Sequence, residues 1–352
     1  MAKKRLFDLP QTKGEFQIKG IASGVKKNTF FTTKKTKSNV DMNLVNFGIK
    51  YDDNQTAYVS LNGMVSRSVY YYNSELKKTV EVSWANRHNT PGDGYKLIGA
   101  RVGLTTTTNE KGDVVNDNKM LSDYDAAKYI ADNLKDDMPI FVKGALEFGS
   151  YVDKNGDVQR SKRLALNQVS LSSKEIDFDA EDYKALADFK TTIVFESIEK
   201  EKDDNGLDTG RFIVNAIIVG YSDITNTDFV VENAKLANLM KKNLKAYNAI
   251  EVTGVFKNTI DTSESDAEDS WGDKNSYNRA NKKGKFEYVI TGAAPGTIDT
   301  ETYTEENIAA ARKAIANKDK LNKNFGETKE DTSSTAPWED SSDSDNGDDV
   351  DW

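Results

Sequence analysis

The sequence predicts a mainly β protein of two similar five-stranded domains in tandem, followed by a helix and a disordered acidic tail. Three observations support this prediction. Short alternating or apolar runs broken by Asn, Asp and Gly fill residues 15–171 and recur through 189–298. Each series is interrupted at the same place by one segment of helical periodicity. Beyond residue 325 the chain has almost no apolar residues, too few to offset the entropy of ordering.

Composition narrows the chemistry that the 352 residues can perform. The chain has no cysteine and a single histidine, His88, which lies in the polar run WANRHNTPGDGY. Disulfides, thiolate metal sites and cysteine nucleophiles are excluded, and we expect neither an enzyme nor a bound metal or cofactor. No stretch approaches the roughly 20 apolar residues that span a bilayer, and the first ten residues lack the apolar core of a signal peptide. We therefore expect a cytoplasmic protein without membrane contact.

The first domain is predicted over residues 15–176, after a basic N-terminal arm at 1–14. Its strands follow from runs such as FQIKGIASGV, TAYVSLNGMV and KTVEVSWAN. Ser122 and Asp125 form a capping pair for the helix that comes next. Two further strands, IFVKGALEF and RLALNQVSL, are joined by a hairpin whose Asn155-Gly156 pair supplies the positive φ of a tight turn.

The second domain is predicted over residues 189–298, and a short connecting helix at 177–188 precedes it. The order of strands, helix and hairpin is the same as in the first domain. The first two strands flank a turn at Asn205-Gly206, and the helix runs through AKLANLMKKNL.

The two halves match in register where the helix is followed by a strand, and this match favours an internal duplication. The matched positions are Asn133-Leu134-Lys135 with Ile140, Val142 and Gly144, and Asn243-Leu244-Lys245 with Ile250, Val252 and Gly254.

The last predicted elements are a helix at 299–324 and the tail at 325–352. Thr302 and Glu305 form a capping box for this helix. Eight of the 57 acidic residues and no basic residue lie in 331–352, which leaves 49 acids against 48 bases elsewhere. The first 50 residues hold eleven Lys or Arg against three acids, so the charge is segregated between the two ends.

Three strands, a helix and a two-strand hairpin are, in order, the elements of a five-stranded OB barrel, in which the helix lies between strands three and four. The run AAKYIADNLKDDMPIFVKGALEFGSYVDKNGDVQRSKRLALNQV, residues 126–169, also resembles part of the bacterial and phage single-stranded DNA-binding proteins. In that family a helix leads into an apolar strand with a Gly, then a long hairpin and a basic return strand. The resemblance implies tandem OB barrels that bind single-stranded DNA in replication, recombination or repair. Few prolines with many Asn and Lys favour a phage-type version.

The end of the chain is also similar to that family, whose members close a flexible acidic segment with a few apolar residues that dock into replication and recombination proteins. Here the closing run is DDVDW, without the family's usual Pro before a terminal Phe, which leaves the identity of the partners open. The predicted partner-binding residues are Trp338, Asp348, Asp349, Val350, Asp351 and Trp352.

A single strand is held by cations that contact phosphates and by exposed aromatic faces on which bases stack. The run VKKNTFFTTKKTK is the best candidate, because one of two adjacent phenylalanines in a half-exposed strand must face outward. Acidic residues that begin the long loop of the second domain leave open whether that domain binds DNA. The predicted DNA-binding residues are Lys26, Lys27, Phe30, Phe31, Lys34, Lys35, Lys37, Arg67, Tyr70, Tyr71, Tyr72, Trp84, Arg87, Tyr151, Arg160, Lys162, Arg163, Arg211, Phe256 and Lys257.

Other functions stay open at this point. A β-rich virion or assembly protein would explain the abundant Asn, Thr and Tyr but not the basic start of the chain. An RNA-binding OB protein is equally compatible, because the 2′-hydroxyl is recognised by local contacts that a sequence does not reveal. The sequence does not fix the oligomeric state.

Overall fold

The computed structural model of the chain describes residues 5–36, 38–152, 158–172, 174–203, 205–260 and 284–324. These residues form a mainly β structure with three α-helices, none long and apolar enough to cross a membrane. The helices are α1 (Asp123–Asn133), α2 (Ala234–Asn243) and α3 (Glu305–Asn324), and a 3-10 turn spans Trp84–Asn86. The strands are β1 (Gly14–Ser23), β2 (Phe31–Lys35), β3 (Asp41–Asp52), β4 (Gln55–Met64), β5 (Ser68–Asn73), β6 (Lys78–Ser83), β7 (Tyr95–Leu97), β8 (Ala100–Gly103), β9 (Thr106–Thr108), β10 (Val114–Asn116), β11 (Lys119–Leu121), β12 (Pro139–Val152), β13 (Val158–Leu171), β14 (Leu186–Lys202), β15 (Asp208–Val219), β16 (Ile224–Val231), β17 (Ala249–Ile260) and β18 (Gly284–Asp299).

Five strands of the first half pair in a closed circuit, called unit 1. The pairs β1–β3, β3–β4, β13–β12 and β12–β1 are antiparallel, and the parallel pair β4–β13 closes the circuit. Side chains alternate along the strands, and inward-facing residues such as Phe47 and Val59 are almost fully buried. Helix α1 precedes β12 and begins as predicted, since the side chain of Ser122 accepts a hydrogen bond from the backbone N–H of Asp125 at 3.2 Å.

Five strands of the second half repeat this circuit and are called unit 2. The pairs β14–β15, β15–β16, β18–β17 and β17–β14 are antiparallel, and the parallel pair β16–β18 closes it. Gly206, with φ 79°, lies in the predicted turn between β14 and β15. The other predicted turn, Asn155-Gly156, lies outside the described residues.

The two units are joined through their first strands. β1 pairs with β12 along one edge and with β14 along the other, and both units belong to one 13-stranded sheet. Phe16 and Phe189 lie opposite each other in the β1–β14 pairing. Phe189 packs against Phe256 and Tyr288, with ring centroids 5.4 and 5.6 Å apart. The buried residues of both units therefore form one continuous hydrophobic core.

The two helix-to-strand junctions are built alike, as the repeated register predicts. Helices α1 and α2 each end one residue before a leucine whose N–H donates to the carbonyl four residues earlier, at 2.8 and 2.9 Å. Three residues later φ is positive, 71° at Asp137 and 70° at Tyr247. The N–H of Asp137 donates to the carbonyl of Ala22, and that of Tyr247 to the carbonyl of Phe195. Ala22 of unit 1 thus corresponds to Phe195 of unit 2.

A glycine occupies the same position of the fourth strand in both units. Gly144 and Gly254 each lie at a β-bulge. A Cβ at either position would overlap a carbonyl oxygen of the neighbouring strand and the ring of Phe16 or Phe189 from the first strand. Only glycine allows this close approach, which explains why the repeat extends to this residue.

The predicted connecting helix at 177–188 is wrong. These residues form turns, and β14 begins at Leu186. The Tyr183 hydroxyl donates to the carbonyl of Tyr51 at 2.6 Å, and Phe178 packs edge-on against Tyr183 with centroids 5.3 Å apart. So short a helix gains little from its own hydrogen bonds, and the contacts with unit 1 decide the conformation.

The N-terminal segment differs from the predicted basic arm at 1–14. Residues 1–4 lie outside the described part of the chain, while Phe7 and Leu9 are buried against unit 2 and α3. Burial of two such apolar side chains stabilises the fold by roughly 1.5–3 kcal/mol each, enough to fix the segment on the surface. β1 then begins at Gly14.

The C-terminal helix is shorter at its start than predicted. The backbone N–H of Asn307 donates to the Thr304 hydroxyl at 3.2 Å, so Thr304 rather than Thr302 caps α3. The backbone N–H of Thr302 instead donates to Asp299 at 2.9 Å, in the turn that precedes the helix. The predicted tail at 325–352 lies outside the described residues.

Candidate nucleic-acid interface

The outward face of β3 and β4 presents an exposed aromatic side chain. Alternation buries Ala57, Val59 and Leu61 inside unit 1 and turns Tyr58 outward, where it is 60% exposed. Gly48 lies opposite Tyr58 in the β3–β4 register. A Cβ at Gly48 would overlap the Ser23 hydroxyl and touch the Tyr58 ring at 3.4 Å, so glycine leaves room for both side chains.

Exposed lysines lie beside this face, in the segment that connects β1 to β3. Lys26 and Lys27 lie in the turn before β2, and Lys34 lies on β2 itself. Within the described part of the chain none of the three forms an ion pair. Lys35 is 3.7 Å from Asp41, and Lys37 lies outside the described residues. Three cations of this segment are therefore available to an anionic ligand.

A three-stranded arm of β5, β6 and β7 follows directly after β4. Tyr70 and Tyr72 are 48% and 41% exposed on one face, while Tyr71 between them is buried on the other. Lys96 lies opposite Tyr72 in the register and is exposed. Arg67, just before β5, is exposed and makes no ion pair with any described residue. Alternation along β5 thus divides the tyrosine run between two faces, and Tyr71, predicted as a DNA contact, is buried instead.

The inner face of the arm is fixed to α1 by an ion pair. Arg87 donates to the two carboxylate oxygens of Asp125 at 2.7 and 3.1 Å and lies over the ring of Trp84 at 4.5 Å. The Tyr71 hydroxyl donates to the carbonyl of Arg87 at 2.7 Å. Burial alone would raise the pKa of Asp125, but hydrogen bonds from Arg87 and Ser122 outweigh it and hold this pKa below its usual value.

Several predicted DNA contacts are structural instead. Phe30 is buried against Phe47, with centroids 6.5 Å apart, and Phe31 is partly buried against the core. Phe30 lies in a turn before β2 begins, so the alternation rule that predicts one outward ring does not apply. Trp84 and Arg87 hold the arm, as the preceding contacts show. This geometry does not support the prediction that these four residues contact DNA.

The predicted residues on β13 and in unit 2 are also largely engaged within the protein. Lys162 donates to the backbone carbonyl of Asp228 at 2.8 Å, and Phe256 is 2% exposed in the core. The side chains of Tyr151 and Arg160 and the tail residues Trp338, Asp348, Asp349, Val350, Asp351 and Trp352 lie outside the described part. The remaining pairs are Arg163 with Glu147 at 3.3 Å, Arg211 with Glu201 at 3.0 Å and Glu287 at 2.6 Å, and Lys257 with Glu232 at 2.7 Å.

Two exposed residues beside the predicted ones were missed from the sequence. Tyr58 follows from the alternation of TAYVSL, in which three apolar residues face the core and the tyrosine does not. Lys96 could not be found in this way, because its position beside Tyr72 depends on the pairing of β5 with β7.

Comparison with known proteins gives one family match. The family model of YorF matches residues 13–328. No curated protein matches this chain. The wild-type single-stranded DNA binding protein from Thermus aquaticus is 10% identical, with a TM-score of 0.37 over 81% of this chain and 93% of that chain. A deletion mutant of the same protein is 11% identical, with a TM-score of 0.38 over 81% and 94%.

We predict that Asp125→Asn lowers the free energy of unfolding by about 1.5–3 kcal/mol at neutral pH, because Arg87 loses its charged acceptor. Above the ordinary carboxyl pKa the Arg87–Asp125 pair contributes fully to the stability of the wild-type protein. This contribution is lost as pH falls through the lowered pKa of folded Asp125. The difference between the two proteins should therefore shrink in acid. Urea unfolding followed by tryptophan fluorescence at several pH values measures it.

The control is Asp132→Asn, which breaks an exposed pair with Lys128 on the same helix. This variant should differ little from the wild type. A difference between Asp125→Asn and the wild type that stays constant from neutral pH into acid would contradict the assigned ion pair.

Proposed function

The chain belongs to the YorF family, and we propose that it binds single-stranded DNA without sequence preference through unit 1 and its arm. The observation that carries the proposal is that unit 1, its β1–β3 connection and the arm combine exposed tyrosines with cations that form no ion pair with any described residue. The tyrosines are Tyr58, Tyr70 and Tyr72, and the cations are Lys26, Lys27, Lys34 and Arg67.

We propose further that both units are OB-type barrels. If the five strands of each unit are numbered in chain order, both units have the pairing circuit 1-2-3-5-4-1. Strands three and five form the parallel pair, and a helix precedes strand four. In OB folds the face of strands two and three, together with the loops after strands one and four, binds oligonucleotides. In unit 1 these are β3, β4 and the segment 24–40. That is where Tyr58 and the unpaired lysines lie.

The chemistry of these groups favours sequence-tolerant binding. A tyrosine ring stacks on the π-face that every base has, and a lysine pairs with a phosphate that is the same in every nucleotide. Neither contact distinguishes one base from another. A single strand suits this surface better than a duplex, because bases stack on protein side chains only when they are unpaired.

We propose that the protein acts in DNA replication, recombination or repair in the cytoplasm of a cell that carries it, as a phage-type binding protein without catalytic activity or cofactor. The acidic segment 331–352 would recruit partner proteins through Trp338 and Trp352. Its composition is the support, since eight acids and two tryptophans occur in 22 residues without one base. Partner capture and DNA binding would then reside in different parts of the chain.

Truncation before Asp331 tests this division of roles. Affinity for a dT oligonucleotide at low salt should be retained or increased, because the segment competes with phosphate for the cations. Fluorescence anisotropy measures the affinity of both forms. Weaker binding by the truncated form would contradict the proposed roles.

We predict that replacing Lys26, Lys27 and Lys34 together by Ala weakens dT binding. The slope of the log binding constant against log salt concentration should become less negative by about 2, at roughly 0.7 per phosphate contact. Anisotropy titrations at several salt concentrations give the slope. The matched control replaces the three exposed lysines of α2, Lys235, Lys241 and Lys242. It removes the same charge and should leave the slope unchanged. An equal effect of both triple variants would reject the proposed contacts.

We predict that Tyr58→Ala and Tyr72→Ala each weaken dT binding by about 1–3 kcal/mol through lost stacking. Their stability should stay close to that of the wild type, since both side chains are exposed. Tyr71→Phe is the contrast, because it removes a buried hydrogen bond and lowers stability by about 0.5–1.5 kcal/mol but leaves the affinity intact. Anisotropy and urea unfolding measure the two quantities. Unchanged affinity in both alanine variants would argue against stacking.

A further inference from the structure

The equivalent junctions allow the two units to be compared position by position. Ala22 corresponds to Phe195, and these residues pair with Ile49 and Ala216 on the second strands. β3 and β4 of unit 1 therefore correspond to β15 and β16 of unit 2. The counterpart of the face that carries Tyr58 in unit 1 is therefore the outer face of β15 and β16 in unit 2.

The residues on the two faces are of opposite character. The pair Gly48–Tyr58 of unit 1 corresponds to Asn215–Asp228 of unit 2, so an exposed aromatic ring is replaced by a carboxylate. Lys50 corresponds to Ile217. The Lys50 side chain is 41% exposed, whereas Ile217 is fully buried.

Ile217 is buried because other parts of the chain cover it. Alternation along β15 places Ala216 and Ile218 in the common core and Ile217 and Val219 in a second hydrophobic cluster outside it. The second cluster is completed by Phe7 and Leu9 of the N-terminal segment, by Tyr303 and by Ile308 and Ala311 of α3.

Hydrogen bonds fix both covering elements. The backbone N–H of Thr12 donates to the carbonyl of Val219 at 3.0 Å, and the N–H of Val219 donates to the Thr12 hydroxyl at 2.9 Å. Arg312 of α3 donates to the side-chain oxygen of Asn226 at 2.6 Å. Asn226 corresponds to Thr56 on the face of unit 1. The cover is therefore a packed and hydrogen-bonded layer.

The charge of this face also opposes a polyanion. Glu196 and Glu199 accept hydrogen bonds from Asn226 and Asn215 at 2.8 and 3.1 Å. A third carboxylate, Asp228, is 3.3 Å from Lys162 of unit 1. Carboxylates at the positions that would meet phosphates repel them.

We infer that the protein holds single-stranded DNA with only one of its two units, and that unit 2 uses the corresponding face to bind the chain's own N-terminal segment and α3. This inference rests on the proposed function. One chain then provides one DNA path, of the roughly 4–16 nucleotides that a single OB fold covers, rather than two.

Photocrosslinking of the full chain to dT oligonucleotides that contain bromodeoxyuridine, with mass-spectrometric mapping, tests the inference directly. Crosslinks are expected in peptides of β4 and of the arm, and none in β15, β16 or α3. Crosslinks in β15, β16 or α3 would overturn it.

A matched pair of charge reversals gives a second, independent measurement. Lys34→Glu on unit 1 should weaken dT binding at least about fivefold, whereas Arg312→Glu on the cover of unit 2 should change it less than about twofold. Equal weakening by both variants would overturn the inference and leave the proposed function standing. A wild-type chain that binds no dT oligonucleotide would overturn both.

Discussion

The antiparallel pairing of β1 with β14 is the interaction on which the rest of the architecture depends. Each is the first strand of its unit, and each is hydrogen-bonded on its other edge to the fourth strand of that unit. The pairing brings Phe16 and Phe189 together and makes the two interiors one core. Lys162 reinforces the joint from β13, where it donates to Asp228 and lies 5.3 Å from the centroid of Tyr288. Separation of the units would expose this core, so they act as one body.

Once the units are fixed in this way, the alternation of each second strand decides what its outer face can do. In unit 1 the outward positions of β3 and β4 carry Lys50 and Tyr58, whose side chains are 41% and 60% exposed. In unit 2 the same positions carry Ile217 and Asp228, and the chain covers the apolar one with its own N-terminal segment and α3. A duplicated architecture thus gives one face suited to a ligand and one suited to internal packing. The difference lies in a few side chains rather than in the course of the backbone.

The helix-to-strand order in each half was predictable, because it depends on local periodicity and on residues such as Ser122 that cap their own helix. The role of Gly144 depends instead on Phe16, 128 positions earlier, and was visible only as a repeated letter. The roles of the individual lysines and arginines could not be predicted from the sequence. Arg211 is paired with Glu287, 76 positions away, and Lys162 with Asp228, 66 positions away, so no local pattern distinguishes these from a free lysine such as Lys34. The aromatic residues show the same limit. Alternation holds for Tyr70, Tyr71 and Tyr72, which lie within β5, whereas Phe30 lies in a turn where it does not hold.

The central claim is that unpaired cations and exposed rings on unit 1 hold a single strand of nucleic acid. The most direct test is a titration of the full chain with dT, rU and duplex oligonucleotides of equal length, followed by anisotropy at low and high salt. We expect a dT complex whose log binding constant falls with log salt concentration at a slope of roughly −0.7 per phosphate contact, and weaker binding to the duplex. A dT complex that is absent or insensitive to salt, or duplex binding as tight as dT binding, would contradict it.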